Sequence, residues 1–356
     1  MWKPSWEGAC PVGERRVGKP SASRLKSLLG AHFGAASDQI IVGPGPGLDA
    51  AVLDLTDGRV MAVAEDPIFP APNLPLAVMG WFTVHIGASD VAVTGIAPQF
   101  MTYTLLLPPT CPESDAKTIV TSISDAARDL GISIVGGHTG WYDAVTIPIV
   151  GGVAVWGIAD KSAWVSPGGA QDGDVLLMTK GPAIESVALL SILYKDQIIR
   201  RISSQSLQKS LDRVRQITVV EDALIAFGVG GVHAMHDATE GGVLGGVHEM
   251  ASAAGIPARV NLDAVDVPQD IRELADVLAF DPWQAISEGT LLVSAAPESV
   301  VRIRKAWDEA GIESHVLGRF DKRLQHCVVR RGGQEAELVE PVGDPFWDLF
   351  FAGLRT

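Results

Sequence analysis

The stretch Gly-Ala-Ser-Asp-Val-Ala at residues 87–92 places a carboxylate, Asp90, among very small side chains. Similar runs surround other acidic residues: Gly-Leu-Asp-Ala-Ala-Val around Asp49, Ala-Glu-Asp-Pro around Asp66, and His-Asp-Ala-Thr-Glu-Gly-Gly around Asp237 and Glu240. Each run follows or ends an apolar stretch, where a strand is expected to give way to a loop. Carboxylates in such positions suit Mg²⁺, which requires oxygen ligands and room for substrate phosphates. The runs therefore predict an enzyme that handles a nucleoside triphosphate.

The length of the chain, 356 residues, exceeds what one core usually serves and predicts two domains. Apolar residues make up 47% and charged residues 20%, which is typical of a well-packed globular protein. The net charge of −14 argues against nucleic acid as the main partner, because phosphate binding depends on clustered Lys and Arg. It does not argue against ATP, whose charge can be neutralised by metal ions held on carboxylates.

The three cysteines, Cys10, Cys111 and Cys327, are far apart and odd in number, so neither a disulfide framework nor a zinc site is indicated. The N-terminus lacks the apolar core of a signal peptide. The longest apolar run, roughly residues 145–159, is interrupted by proline and glycine and is too short to span a bilayer. We therefore expect a soluble protein of the reducing cytoplasm with no membrane partner.

The spacing of apolar residues and turn-formers predicts mixed helices and strands, with several strands adjacent in sequence, and hence an α+β fold. Strands are expected near residues 39–42, 51–55, 60–64, 100–107, 132–135, 146–157, 175–179, 233–236, 260–262, 290–294 and 327–329. Helices are expected near residues 21–29, 76–89, 114–130, 184–194, 205–213, 217–227, 242–254, 268–278 and 297–310. A turn-rich stretch at 158–173 suggests domains at 1–160 and 161–340, followed by a tail at 341–356.

The aspartates of the first half each have an ordinary alternative. Asp49, Asp66 and Asp90 are equally explained, one at a time, as turn residues or helix caps. Two features favour a metal site: small residues before Asp90 let a phosphate or metal approach the backbone, and Pro67 biases Asp66 toward an extended conformation.

The sequence Gly136-Gly137-His138-Thr139 follows an apolar strand. Two glycines permit close backbone approach, Thr139 offers a hydroxyl to a phosphate, and His138 is a candidate proton carrier. A solvent-exposed turn is the alternative.

In the second half, the run around Asp237 precedes a predicted helix whose N-terminus would favour an anion, although Asp237 is equally well explained as an N-cap. Lys180, in a loop after a strand, is a candidate phosphate ligand or simply a polar loop residue. Glu288, just before a buried strand, is ambiguous by itself. No P-loop motif occurs, so any ATP site is of another kind.

Five segments, in this order, resemble the superfamily of aminoimidazole ribonucleotide synthase (PurM), the hydrogenase maturation protein HypE, thiamine monophosphate kinase and selenophosphate synthetase. They are Asp-Ala-Ala-Val at 49–52, Ala-Ser-Asp-Val-Ala-Val-Thr-Gly at 88–95, Val-Gly-Gly-His-Thr at 135–139, His-Asp-Ala-Thr-Glu-Gly-Gly at 236–242 and Ser-Glu-Gly-Thr-Leu-Leu at 287–292. The HypE-like, AIR synthase-related proteins are the most similar.

The resemblance implies an N-terminal PurM-like α+β domain whose sheet pairs with a second subunit, hence a homodimer, and a C-terminal PurM-like α/β domain, with ATP in the cleft between them. Asp49, Asp66, Asp90 and Asp237 would then bind Mg²⁺. The residues expected to bind the nucleotide are Gly47, Asp49, Asp66, Ser89, Gly136, Gly137, Thr139, Lys180, Glu240 and Gly241. The residues expected to be catalytic are Asp90, His138 and Asp237.

The chain also departs from the family patterns. HypE ends in a modified cysteine, whereas this sequence ends in Thr356; Cys10 lacks the setting of the reactive residue of selenophosphate synthetase; and His138 stands where other members carry a carboxylate. We therefore expect an ATP- and Mg²⁺-dependent enzyme acting on an amide-like or phosphate-accepting oxygen of a small molecule or partner protein. A small-molecule kinase and a non-catalytic nucleotide-binding protein are the alternatives.

Overall fold

A computed structural model of the chain describes residues 18–20, 22–30, 32–71, 73–341 and 343–353, so Cys10 lies outside the described residues. The first half contains α1 (Ala22–Leu29), β1 (Ile40–Val42), β2 (Ala51–Asp54), β3 (Arg59–Ile68), α2 (Leu76–Ala92), β4 (Phe100–Leu107), α3 (Glu113–Asp129), β5 (Ser133–Trp141) and β6 (Ile149–Asp160). The second half contains β7 (Val175–Thr179), α4 (Ile184–Leu193), α5 (Lys195–Ile198), α6 (Ser204–Asp212), α7 (Val220–Val229), β8 (Val232–Asp237), α8 (Gly242–Ala254), β9 (Ala258–Asn261), α9 (Gln269–Leu278), β10 (Leu291–Ala295), α10 (Val300–Glu309), β11 (Ser314–Phe320), β12 (Val328–Arg331), β13 (Gln334–Glu337) and α11 (Pro345–Gly353).

The first half forms a six-stranded sheet in the order β1-β2-β3-β6-β4-β5, with β4 and β5 parallel and the other neighbours antiparallel. The Asp-Gly step at residues 57–58 lies in the turn between β2 and β3, which pair as an antiparallel hairpin. Helices α2 and α3 pack against each other, and α2 also contacts β3 and β6. Gly80 permits this close crossing, because a Cβ there would lie 2.6 Å from the carbonyl oxygen of Ile119.

The second half forms a seven-stranded sheet in the order β13-β12-β9-β11-β7-β10-β8, antiparallel except for β9 and β12. One hydrophobic core continues from the first sheet through α2 into the helices α4 and α7 of the second half, so that Val84 and Ile217 belong to the same buried cluster. A second core lies on the α8 side of the second sheet. The predicted two-domain PurM-like α+β architecture is confirmed.

Three local expectations are wrong. The segment 136–139 lies inside β5 rather than in a loop, because its backbone pairs with β4 from residue 102 to residue 105. Asp90 lies in the last turn of α2 rather than beyond it. The expected tail contains helix α11, which buries Phe346 and Phe350 and packs against α4.

Within the described part of the chain, no helix combines the length and apolar character needed to cross a bilayer.

Candidate functional site

The four predicted metal-binding aspartates come from four separate elements of both halves. Asp49 lies just before β2, Asp66 in β3, Asp90 in the last turn of α2, and Asp237 at the end of β8. Ligand atoms of Asp49, Asp237 and the intervening His236 lie within 4.8 Å of one another. The Asp66 and Asp90 carboxyl groups lie close enough for each to shift the pKa of the other. We call these four aspartates, together with Glu288, the carboxylate cluster.

His236 connects the two halves of the molecule at this cluster. Its Nδ1 lies 2.6 Å from Asp49 Oδ2, and its Nε2 lies 2.9 Å from Glu249 Oε2 on α8. Burial of the imidazole opposes its charge, but Asp49 and Glu249 together raise the pKa of His236 well above its ordinary value. Both ring nitrogens of this buried side chain face carboxylate oxygens, an arrangement that favours the imidazolium form.

Several carboxylate oxygens of the cluster are buried without a hydrogen-bond partner. They are both oxygens of Asp237, both of Glu288 and Oδ2 of Asp66. Asp237 is 0% and Glu288 2% exposed. Burying unpartnered carboxylates is costly, so these atoms form a place suited to a cation.

Burial and mutual repulsion raise the pKa values of several carboxyl groups in the cluster. Burial raises the pKa of Asp90 well above its usual range, and the neighbouring Asp66 and Asp237 raise it further. Burial likewise raises the pKa of Glu288, with Asp237 as the next cause. The pKa of Asp49 is raised to about 6 by burial, although His236 lowers it. A positive charge bound among these groups would favour their ionised forms and so lower these pKa values.

The donor set fits Mg²⁺. The unpartnered atoms of the carboxylate cluster are carboxylate oxygens, the ligands preferred by hard cations. Among the described residues, no cysteine belongs to this group of possible ligands. His236 is already held by two carboxylates, so it orients Asp49 rather than offering a free nitrogen to a metal.

Further acidic residues extend the site beyond the cluster. Burial raises the pKa of Glu185, in the first turn of α4, to about 8, and the charges of Asp344 and Glu240 add to this. Burial raises the pKa of Asp344 to about 6. This part of the site therefore also has an excess of negative charge.

The amides at the N-terminus of α8 are occupied, contrary to the anion site expected there. The Gly241 amide donates to Asp344 Oδ2 at 2.8 Å, the Gly242 amide to the Thr239 carbonyl, and the Leu244 amide to the Trp283 carbonyl. Asp344 belongs to the segment expected to be a tail, and its packing onto this loop explains the difference.

The predicted residues of β5 lie apart from these contacts. Gly136, Gly137, His138 and Thr139 are all exposed on the edge strand of the first sheet. The His138 ring forms a hydrogen bond and a stacking contact with Tyr142. Among the described residues, no hydrogen bond joins this segment to the carboxylate cluster.

Lys180, Ser89 and Gly47 have partners within the protein. The Lys180 ammonium donates to the carbonyls of Thr218 and Gly289 and pairs with Asp222. The Ser89 hydroxyl donates to the His85 carbonyl and accepts from the Val219 amide. Gly47 has a φ of +71° and passes against α8, where a Cβ would lie 2.9 Å from the Glu249 Cβ. Ser89 and Gly47 thus bring the first half into contact with the second, whereas the partners of Lys180 all lie within the second half.

Besides Glu185 and Asp344, sequence reasoning missed His236 as a cation, Glu249 as its second carboxylate, and Lys19. His236 lies in the acidic run at residues 236–242, and Glu249 lies shortly after it. Their contact joins strand β8 to helix α8, between residues thirteen positions apart. Lys19 precedes the first expected helix and belongs to none of the motifs quoted above. Only the folded arrangement reveals these contacts.

Comparisons with known proteins agree with the fold. Family models described as "AIR synthase related protein" match residues 47–159 with the N-terminal domain and residues 171–328 with the C-terminal domain. The carbamoyl dehydratase HypE of Cupriavidus necator is 28% identical over 327 residues, covering 90% of this chain and 86% of that protein. A structure of HypE in complex with ATP has a TM-score of 0.66 at 20% identity, covering 93% of this chain and 97% of the other. A structure of AaThiL with AMPPCP and TMP has a TM-score of 0.66 at 16% identity, covering 90% and 94%.

Proposed function

The chain belongs to the AIR synthase-related proteins, and from this membership we propose that it is an ATP- and Mg²⁺-dependent enzyme. Its reaction would activate an amide-like or phosphate-accepting oxygen of a second substrate. The observation that carries the proposal is the carboxylate cluster, whose buried, unpartnered oxygens on Asp66, Asp237 and Glu288 require cations.

In this proposal Asp49, Asp66, Asp90 and Asp237 hold the metal. Mg²⁺ supplies positive charge to the phosphate oxygens of the nucleotide, which favours transfer of the terminal phosphoryl group. The protein contributes position, because its ligands come from four elements that the shared core holds in place.

His236 has a positioning role. Its two bonds fix Asp49, from the first half, against Glu249 of α8. Rotation of Asp49 toward another partner would break a charge-assisted hydrogen bond in a buried setting, which is costly. The carboxylate therefore presents a fixed face to the metal.

Burial and neighbouring carboxylates raise the pKa of Asp90 and the pKa of Glu288. Arrival of the metal would release protons from the cluster. Metal-nucleotide binding is accordingly expected to release protons in a way that depends on pH.

We also infer that the protein is a homodimer formed through β5. This strand is nine residues long, lies at an edge of the sheet and is exposed along nearly its whole length. Ile134, Val135 and Trp141 on it are 39%, 55% and 46% exposed. A long apolar edge strand of this kind favours pairing with another strand.

The test is a thermal-shift titration with ATP, ADP and AMP, each with and without Mg²⁺. Ligand at about 100 times its Kd stabilises a fold by roughly 2.7 kcal/mol, a readable shift in Tm. We expect a Mg²⁺-dependent shift with ATP that Asp90→Asn and Asp237→Asn weaken. The matched control is Asp308→Asn, on the exposed side of α10.

Unchanged ATP shifts in both cluster variants would contradict the metal assignment. No shift with any nucleotide in the native protein would contradict the proposed function. Substrate-dependent ADP release then separates an enzyme from a nucleotide-binding protein. Mass analysis of the product separates phosphoryl transfer to a stable product from dehydration or ligation.

A further inference from the structure

A cavity of about 510 Å³ lies in the second half, beside the helix pairs α6 with α9 and α7 with α10. Its wall is formed by α6 and the segment that follows it, the first turns of α7 and α9, the turn after α10, and Lys180 after β7. Among the described residues that line it, none belongs to the carboxylate cluster. The volume is within the range of sites that bind small molecules. The cavity is therefore a second candidate site, separate from the cluster.

Two buried ion pairs line this cavity. Lys180 Nζ lies 2.9 Å from Asp222 Oδ1, and these side chains are 11% and 3% exposed. Arg213 donates from Nε and Nη2 to the two oxygens of Asp270, and these side chains are 10% and 1% exposed. Buried ion pairs contribute little to stability, because the cost of removing both charges from water offsets their attraction. Two such pairs around one open space therefore indicate a polar binding site rather than a stabilising core.

The loop that carries Lys180 has an unfavourable backbone conformation. Lys180 and Ala183 have φ values of +59° and +57°, a region that is costly for residues other than glycine. Such conformations persist where the surrounding structure requires them, and they concentrate at ligand sites. Here the ammonium of Lys180 is held by the carbonyls of Thr218 and Gly289 as well as by Asp222. The loop thus fixes one positive charge at the wall of the cavity.

The exposed residues of the wall carry charges of both signs. Lys209 and Arg215 belong to α6 and the segment after it, whereas Glu221 belongs to the first turn of α7. No hydrogen bond or ion pair joins the side chains of Lys209, Arg215 or Glu221 to another described residue. The Arg215 guanidinium lies over the Trp81 ring, 5.4 Å from its centroid, which leaves its N–H groups free to donate. Free cationic donors therefore lie on the α6 side of the cavity, and a free carboxylate lies on the α7 side.

We propose that this cavity binds a small zwitterion, such as an amino acid, with its carboxylate on Arg215 and Lys209 and its ammonium on Glu221. The planar guanidinium of Arg215 suits a carboxylate, to which it can donate two parallel hydrogen bonds. A ligand with one sign of charge would face like charges on one side of the cavity, which is unfavourable. The proposal goes beyond the proposed function and does not depend on it, because every residue involved lies in the second half and outside the carboxylate cluster.

The experiment titrates the full chain with zwitterions of increasing length, followed by saturation-transfer NMR of the ligand. The probes are β-alanine, γ-aminobutyrate and ε-aminohexanoate, in which the distance between the two charged groups varies. Butyrate and butylamine each carry one of the two charges and serve as matched controls. We expect at least one zwitterion to bind, and to bind about tenfold or more tightly than either control, because each control lacks a hydrogen bond between charged groups.

Variants then locate the binding. Arg215→Gln and Glu221→Gln, both at exposed positions, should each weaken the zwitterion by about tenfold or more. Arg215→Lys keeps the charge and should recover part of the loss. The controls are Lys195→Gln on α5 and Glu298→Gln before α10, which are exposed and do not line the cavity, and they should bind like the native protein.

Three results would overturn the proposal. One is that the native protein binds none of the zwitterions. Another is that butyrate or butylamine binds as tightly as the best zwitterion, which would show a site for one sign of charge. The last is that Arg215→Gln and Glu221→Gln retain native affinity, or lose no more of it than the two controls.

Discussion

Replacing His236 by leucine should destabilise the protein substantially at pH 7. The ring is 1% exposed and donates to Asp49 and Glu249 over 2.6 and 2.9 Å. Removing one member of a buried ion pair costs about 3–5 kcal/mol, because the partner remains buried and unpaired. Glu249 is 24% exposed and able to reach water, so we expect the low end, about 3 kcal/mol.

The measurement is urea unfolding followed by circular dichroism, with Tm as a second readout. The matched control is His233→Leu, three residues earlier on β8. His233 is 26% exposed, and its partner Asp174 keeps bonds from the Gln171 amide and the Ser294 hydroxyl. Its loss should cost about 1 kcal/mol.

The stabilisation by His236 should also depend on pH. Its folded pKa lies above the unfolded value of 6.5, so the contribution is lost as pH rises beyond that value toward the folded pKa. A cost for His236→Leu no larger than that of His233→Leu would refute the assignment of His236 as a buried imidazolium.

Three further predictions concern other parts of the molecule. Burial raises the pKa of Glu185 to about 8. Its favourable contribution to the free energy of unfolding is therefore lost as pH rises from the unfolded value of 4.5 through that folded pKa. In urea unfolding, Glu185→Gln should be more stable than the native protein at pH 8, by on the order of 1 kcal/mol, and no more stable near pH 4.5. Val135→Lys should convert a dimer to a monomer in size-exclusion chromatography with light scattering, whereas Val301→Lys, at a 78% exposed position, should not. Phe346→Ala should cost about 3–5 kcal/mol of unfolding free energy, because Phe346 is 2% exposed, whereas Phe33→Ala, at a 52% exposed position, should cost little.

Elements with strong local signals were predictable. Helix α3 has an amphipathic period and a closing glycine at 131, and the hairpin after β2 has an Asp-Gly turn. Strand β11 and helix α11 were missed. Strand β11 mixes polar and apolar residues without strict alternation, and α11 is a run rich in aromatics that becomes helical through packing against α4. Tertiary contacts decide both.

The site shows the same division. The sequence predicted Asp49, Asp66, Asp90 and Asp237 as one group because each lies among small residues, and the structure brings them into one cluster. Their role as metal ligands remains a prediction. The pairing of cationic side chains with carboxylates was not predictable. It depends on contacts between segments distant in sequence, such as the ion pair of Lys180 with Asp222.

The contact between His236 and Asp49 also bears on how the protein is made. The two residues are 187 positions apart in the chain, so a ribosome completes the first sheet well before it supplies the imidazolium. Until then Asp49 lacks the imidazole that is its hydrogen-bond partner in the complete protein. The first domain is therefore expected to mature only after the second has emerged and docked, which makes synthesis of the full chain a condition for the stability of either half.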